Sequence, residues 1–332
     1  MGIGSKGYII FGITALLVYG VWSISSKPVH DYSEPAIPDD VYPVKSHINI
    51  EFKIQNRTQR KLDNAELRFV LPAKQTSTQL VKKVTSSSSA FVQVLTDLVG
   101  NQQAYFQFDS LVPKEDLDIR IGVDLRLAET LVPDVAEDRS RYLADDPLLD
   151  LSHPNVQVLA SQLVGEKVEV SVNNILGWLE KNKKKPSSMS EIGSTEFVRV
   201  KTEEHAIDDI AASKVLSEQG YLDQDTLYLF IALTRAMKIP SRVVVVLNTD
   251  YNLKGVYTFD DLAIYSEILL DKSWQAVDLG DHKLIVVPNS LTLRRLVAMP
   301  ARQEVVQPYR LLFQSVGVEY VVGSEKFRFS SY

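Results

Sequence analysis

The chain has 332 residues, enough for two domains of ordinary size. A net charge of -6 argues against a protein built to coat nucleic acid, and 45% apolar with 23% charged residues excludes wholesale disorder. The absence of cysteine removes disulfides, thiolate metal sites and thiol nucleophiles together.

Residues 7–24, GYIIFGITALLVYGVWSI, carry no charge and follow Lys6. They reach about the minimum length for a helix crossing ~30 Å of hydrocarbon. Two readings compete: a cleaved signal peptide, for which SISS is a weak cleavage site, and an uncleaved anchor with Tyr8 and Trp22 at the interfaces. The anchor, residues 1–24, is the favoured expectation. It makes this a single-pass inner-membrane protein of a bacterium, with most of the chain in the periplasm. Residues 25–41, with Pro28, Pro35 and Pro38, read as a spacer.

Strict alternation then begins. Ile48, Ile50, Phe52 and Ile54 share one face of HINIEFKI, and AELRFVLP and AYFQFDSL repeat the pattern. In DIRIGVDLRL, Ile119, Ile121, Val123, Leu125 and Leu127 point inward while Asp118, Arg120, Asp124 and Arg126 face water. Residues 42–130 are expected to form an antiparallel β-sandwich. An acidic connection, 131–150, leads to a second domain, 151–332, with a different period. NVQVLASQLVG, VEVSVNNILGWLEKNKKK and AIDDIAASKVLSEQG carry helical spacing, and a further helix runs from about Asp225 to Met237 before Pro240. The strands SRVVVVLN, AIYSEILLD, SWQAVDL and KLIVVP follow, an α+β order. EYVVGSEKFRFSSY reads as a strand. The lysines 181 and 183–185 read as a solvated helix end, with anionic lipid or phosphate as the alternative.

From about 145 to 280 the chain resembles the transglutaminase-like (papain-related) core. The resemblance rests on Arg235, Ile239, Pro240 and Arg242 at the end of LFIALTRAMKIPSR, and on Tyr265, Glu267, Trp274 and Asp278 in YSEILLDKSWQAVDLGD. It implies an α+β cysteine-protease-like core, so that the whole fold is expected to be a transmembrane helix, an antiparallel β-sandwich and that core. In that family a thiolate at a helix N-terminus works with a histidine and an aspartate. Here the cysteine slot falls on Asp223, or on Leu222 by the alternative count, and the histidine slot falls on Ala263. Of the triad, the orienting acid Asp278 remains, so the expectation is an inactive member. Lys238 stands where the family has a glycine suited to a left-handed cap, which allows the local turn to differ.

The expected binding residues of the vestigial cleft are Asp223, Asp225, Tyr265, Trp274, Asp278 and His282. Four of them have a plainer reading: helix capping for Asp223 and Asp225, and core packing for Tyr265 and Trp274. His30, His47 and His153 read as loop or solvent-facing residues. His205, among Glu203, Glu204, Asp208 and Asp209, suggests a cation site less readily than acids favouring a helix N-terminus. No metal, cofactor or nucleic acid is expected. The expected function is a non-catalytic binding or scaffold protein of the cell envelope, holding a protein, peptide or glycan. The protein partner would be a polytopic membrane protein or a secretion or export assembly. The alternative is a hydrolase or transferase with a carboxylate-based site in the old cleft.

Overall fold

Alternation of apolar and polar residues becomes strand pairing along much of the chain. The computed structural model describes residues 40–56, 58–134, 138–182, 211–217, 225–249, 255–285, 290–316 and 323–330. From Asp39 onward the chain forms one unit by its contacts. The strands in order are β1 (Val44–Gln55), β2 (Leu62–Leu71), β3 (Gln79–Ser86), β4 (Phe91–Thr96), β5 (Gln102–Leu111) and β6 (Asp116–Leu127). Helices α1 (Pro154–Leu163), α2 (Val168–Asn182), α3 (Ala212–Ser217) and α4 (Thr226–Ala236) follow. Then come β7 (Ser241–Asn248), β8 (Gly255–Tyr257), β9 (Leu262–Leu270), β10 (Ser273–Asp278), β11 (Lys283–Ile285) and β12 (Ser290–Leu296). A short helix α5 (Arg302–Val306), β13 (Phe313–Val316) and β14 (Gly323–Ser330) complete the described chain.

The strands make three antiparallel sheets, ordered β3-β6-β1-β14-β8, β13-β2-β5-β4 and β11-β10-β9-β7-β12. The expected apolar faces are inside: Ile48, Ile50, Phe52, Ile54, Ile119, Ile121, Val123 and Leu125 are all buried. β13 and β14, from the far end of the chain, pair with β2 and β1, so the sheets of the first half are completed by the second.

The expected fold class is corrected in two respects. The architecture is mostly β, three sheets carrying five short helices among the described residues, rather than an evenly mixed α+β core behind a membrane helix. The cause is β12, β13 and β14, which spend the chain after residue 290 on strands; only the last was expected. No helix among the described residues is long and apolar enough to cross a membrane. Residues 7–24, on which that expectation stood, lie outside the described residues.

The third sheet joins the first two through side chains that imitate backbone. The Gln79 amide donates to the carbonyls of Thr292 (2.9 Å) and Ala73 (3.0 Å), while its oxygen accepts from the Thr292 N–H at 2.8 Å. Asn101 does the same to Arg295, accepting from its N–H at 2.7 Å and donating to its carbonyl at 2.9 Å. The outer edge of β12 is thereby satisfied without another strand. Gln79→Leu keeps the volume but strands the Thr292 N–H in the interior. It should lower stability by about 2–3 kcal/mol, read as a shifted urea midpoint with unchanged m.

Candidate functional site

α4 is a core helix: ten of its residues, Thr226 to Arg235, are buried. Its C-terminus closes with the N–H of Lys238 on the Arg235 carbonyl and that of Ile239 on the Thr234 carbonyl, both at 2.9 Å. This is a complete Schellman motif. Lys238 takes the left-handed position, at φ 63°, so the turn does not depart from the one glycine would make. Thr234 Oγ1 donates back to Phe230 or Ile231 and meets Ser241 Oγ at 2.8 Å.

Two arginines of the signature are buried beyond this turn. Arg235 donates through Nε and an Nη to the Ser241 carbonyl and through the other Nη to the Ala144 carbonyl. Burial lowers its pKa, against the raising charge of Asp146. Arg242 is fully buried, with Nε on the Glu267 carboxylate at 2.7 Å. Its guanidinium lies 3.8 Å from the Trp274 ring centroid and 5.5 Å from that of Tyr142. The two rings meet edge to face at 5.0 Å. Trp274 therefore serves as the floor of a buried cation cage. Tyr142, from the acidic connection, was not anticipated; the signal was a lone tyrosine in a polar linker.

The chemistry slots lie on the same face of the third sheet. Ala263 pairs with Val246, and Val277 with Ser266. Side chains alternate along a strand, so Asp278 stands beside Tyr265 and one diagonal step from Ala263. The sheet thus brings together the two positions at which the sequence resemblance expects a base and an acid, the first of which carries a methyl group. Asp278 Oδ1 accepts from the N–H groups of Gly280 (2.9 Å) and Asp281 (3.0 Å), so the carboxylate caps its own hairpin turn. Tyr265 donates to Asn248 Oδ1 at 2.8 Å, a partner the sequence did not suggest. Burial first, then the Asp278 charge, raises the Tyr265 pKa, which keeps the phenol neutral.

His282 follows in that turn with φ 52°, the left-handed residue of a four-residue hairpin loop. Its Nε2 is sequestered with no hydrogen-bond partner among the described residues. Asp225 occupies the N-cap position of α4 but makes no side-chain cap bond. Its buried carboxylate pairs with Arg302 instead, which corrects the capping expectation. Asp223 and Leu222 lie outside the described residues, as do His30, His205 and the acids around His205. His47, expected to face solvent, is half-buried with Nδ1 2.6 Å from Asp124, because cross-strand pairing sets the two opposite each other. His153, expected in a loop, caps α1 by accepting from the Asn155 N–H. Among the described residues no group of three or more acids and histidines is placed to hold a metal ion.

Compared with known proteins, the chain is similar to the crystal structure of "a Putative Cysteine Protease from Cytophaga hutchinsonii". The two share 16% identity with a TM-score of 0.52, over 87% of this chain and 90% of the other. At that identity the likeness establishes a cysteine-protease-like fold. No protein-family model matches the chain, and no curated protein does.

Lys238→Gly removes a side chain from a left-handed position that the surrounding hydrogen bonds impose. It should raise stability by about 1 kcal/mol, measured as a higher urea midpoint.

Proposed function

We propose that this chain is a non-catalytic binding protein on a cysteine-protease-like fold, with the cleft around Tyr265 and Asp278 holding a peptide, protein or glycan. The observation that carries the reading is Ala263 one diagonal step from Asp278 on the same sheet face, in a chain without cysteine. A methyl group neither takes nor gives a proton, and no side chain of the sequence supplies a thiolate. The remaining acids already have structural work: Asp278 holds the hairpin and Asp225 neutralises Arg302. Binding needs shape and a few polar anchors, and the Tyr265 hydroxyl and half-buried Asp278 provide anchors of that kind.

The test is a peptide and glycan array followed by calorimetry on the hits, with hydrolysis of the same compounds measured in parallel. The expected outcome is saturable binding without turnover. It should weaken about tenfold, ~1.4 kcal/mol, in Asp278→Asn, which keeps the oxygen that caps the turn. Turnover that disappears in Asp278→Asn would overturn the reading in favour of a carboxylate-based hydrolase or transferase.

A further inference from the structure

The face of the third sheet that carries Asp278 is closed to water along most of its central strands, β7, β9 and β10. Arg242, Val244, Val246, Glu267, Trp274 and Ala276 alternate onto that face, and all are buried. Apart from Leu269 at the hairpin end, these strands open to water on this face at four neighbours, Asn248, Ala263, Tyr265 and Asp278, each half-buried. Tyr265 stands opposite Asp278 and is bonded to Asn248, and Ala263 is one diagonal step from Asp278. The methyl group of Ala263 leaves room beside the carboxylate that a longer side chain would take.

The two oxygens of Asp278 differ in what they have left to offer. Oδ1 accepts from two N–H groups, at 2.9 and 3.0 Å, which occupies its lone pairs. Oδ2 has no partner among the described residues and is not sealed from water. Other acids of this sheet and of α4 are compensated, Glu267 by Arg242 and Asp225 by Arg302. Lys283 stands opposite Asp278 on β11, but its ammonium turns to Asp281 at 2.6 Å. Tyr265 gives its proton to Asn248, so its oxygen has lone pairs rather than a donor to spare.

From this we infer that the opening binds a primary ammonium, from a lysine side chain or a chain N-terminus, with Asp278 Oδ2 as its counter-ion. The inference rests on the binding role proposed above and narrows its ligand. A half-buried negative charge with no cation of its own favours a positive ligand over a neutral glycan. The single bare oxygen then selects among cations. A guanidinium is a two-pronged fork that pairs best with both oxygens of a carboxylate, and Oδ1 is taken. An ammonium is a compact point charge that one oxygen satisfies, and the Tyr265 oxygen is an acceptor for a second of its N–H groups.

The test titrates the full chain with short alanine peptides up to roughly 10 mM, followed by nuclear magnetic resonance, since one ion pair with few other contacts gives millimolar affinity. Three peptides are capped at both ends and carry lysine, arginine or acetyl-lysine at the centre. A fourth lacks lysine and has a free N-terminus. Binding of the lysine peptide, the free-ended peptide or both is expected, and the one that binds identifies the source of the ammonium. The acetyl-lysine peptide should bind at least roughly tenfold more weakly than the lysine peptide, and the arginine peptide roughly threefold more weakly. Asp278→Asn keeps the oxygen that holds the turn and sets an amide donor in place of the bare one; it should weaken ammonium binding about tenfold or more. Ala263→Leu fills the opening with the charge intact and should remove binding as well. Equal binding of the lysine and acetyl-lysine peptides, tighter binding of arginine, indifference to Asp278→Asn, or no binding of either ammonium at the highest concentration overturns the inference. A neutral peptide or glycan that binds where ammonium does not leaves the non-catalytic binding role standing, whereas turnover of a bound peptide removes that role.

Discussion

The guanidinium of Arg242 carries a full charge at a position with no access to water. Burying such a charge costs several kcal/mol unless close partners replace its hydration. Glu267 comes from the next strand, the Trp274 face from the strand beyond, and the Tyr142 ring from the connection preceding the helices. Three strands and a linker are therefore committed to one geometry by one side chain. Arg235 extends the constraint backward: its bonds to Ser241 and Ala144 hold the end of α4 against the start of β7 and against the residue two after Tyr142. The Trp274 N–H extends it forward, to Ser77 Oγ at 3.0 Å in the first half of the chain.

This network contains none of the atoms that a cysteine protease uses for chemistry. Its requirements are a cation, a carboxylate and aromatic faces at fixed offsets along adjacent strands. Ala263 and Asp278 lie on the same sheet face yet contribute nothing to the cage, so the framework does not depend on the side chains at those two positions. Fold and reaction are separable at the level of individual side chains.

Much of this was legible in the sequence because the periods are strong. The strands β1, β2, β5 and β6 and the helices at 154–182 and 226–236 follow from alternation and helical spacing, and the motif singled out Arg242, Glu267 and Trp274 without showing that they meet. What was missed depends on tertiary partners. β12 carries two arginines in SLTLRRL, and the Asn101 side chain, the carbonyls of Val99 and Gln75 and the Asp134 carboxylate explain how Arg295 is accommodated in the interior. Asp225 has the type and position of a helix cap; a buried arginine 77 residues away makes it an ion pair instead. His47 lies at the exposed end of a strand by pattern, but register puts a carboxylate across from it. Lys238 gave a doubtful signal, since the side chain disfavours the conformation that the hydrogen bonds of the turn require. Local pattern carries periodicity and turn chemistry, whereas long-range charge pairing leaves no local trace.

The pairing of β1 with β14 has a consequence for how the chain is made. His47 lies opposite Ser330, and β1 is flanked by β6 on its other side. As the polypeptide leaves the ribosome, β1 must wait until β14, about 280 residues later, has been synthesised before its second neighbour exists. Until then one edge of β1 stays open, and the apolar residues of the sandwich lack part of their cover. Such long-range closure makes for slow folding and a vulnerable nascent chain. A holding chaperone during translation would thus matter more to this protein than to one whose sheets are built from neighbouring segments.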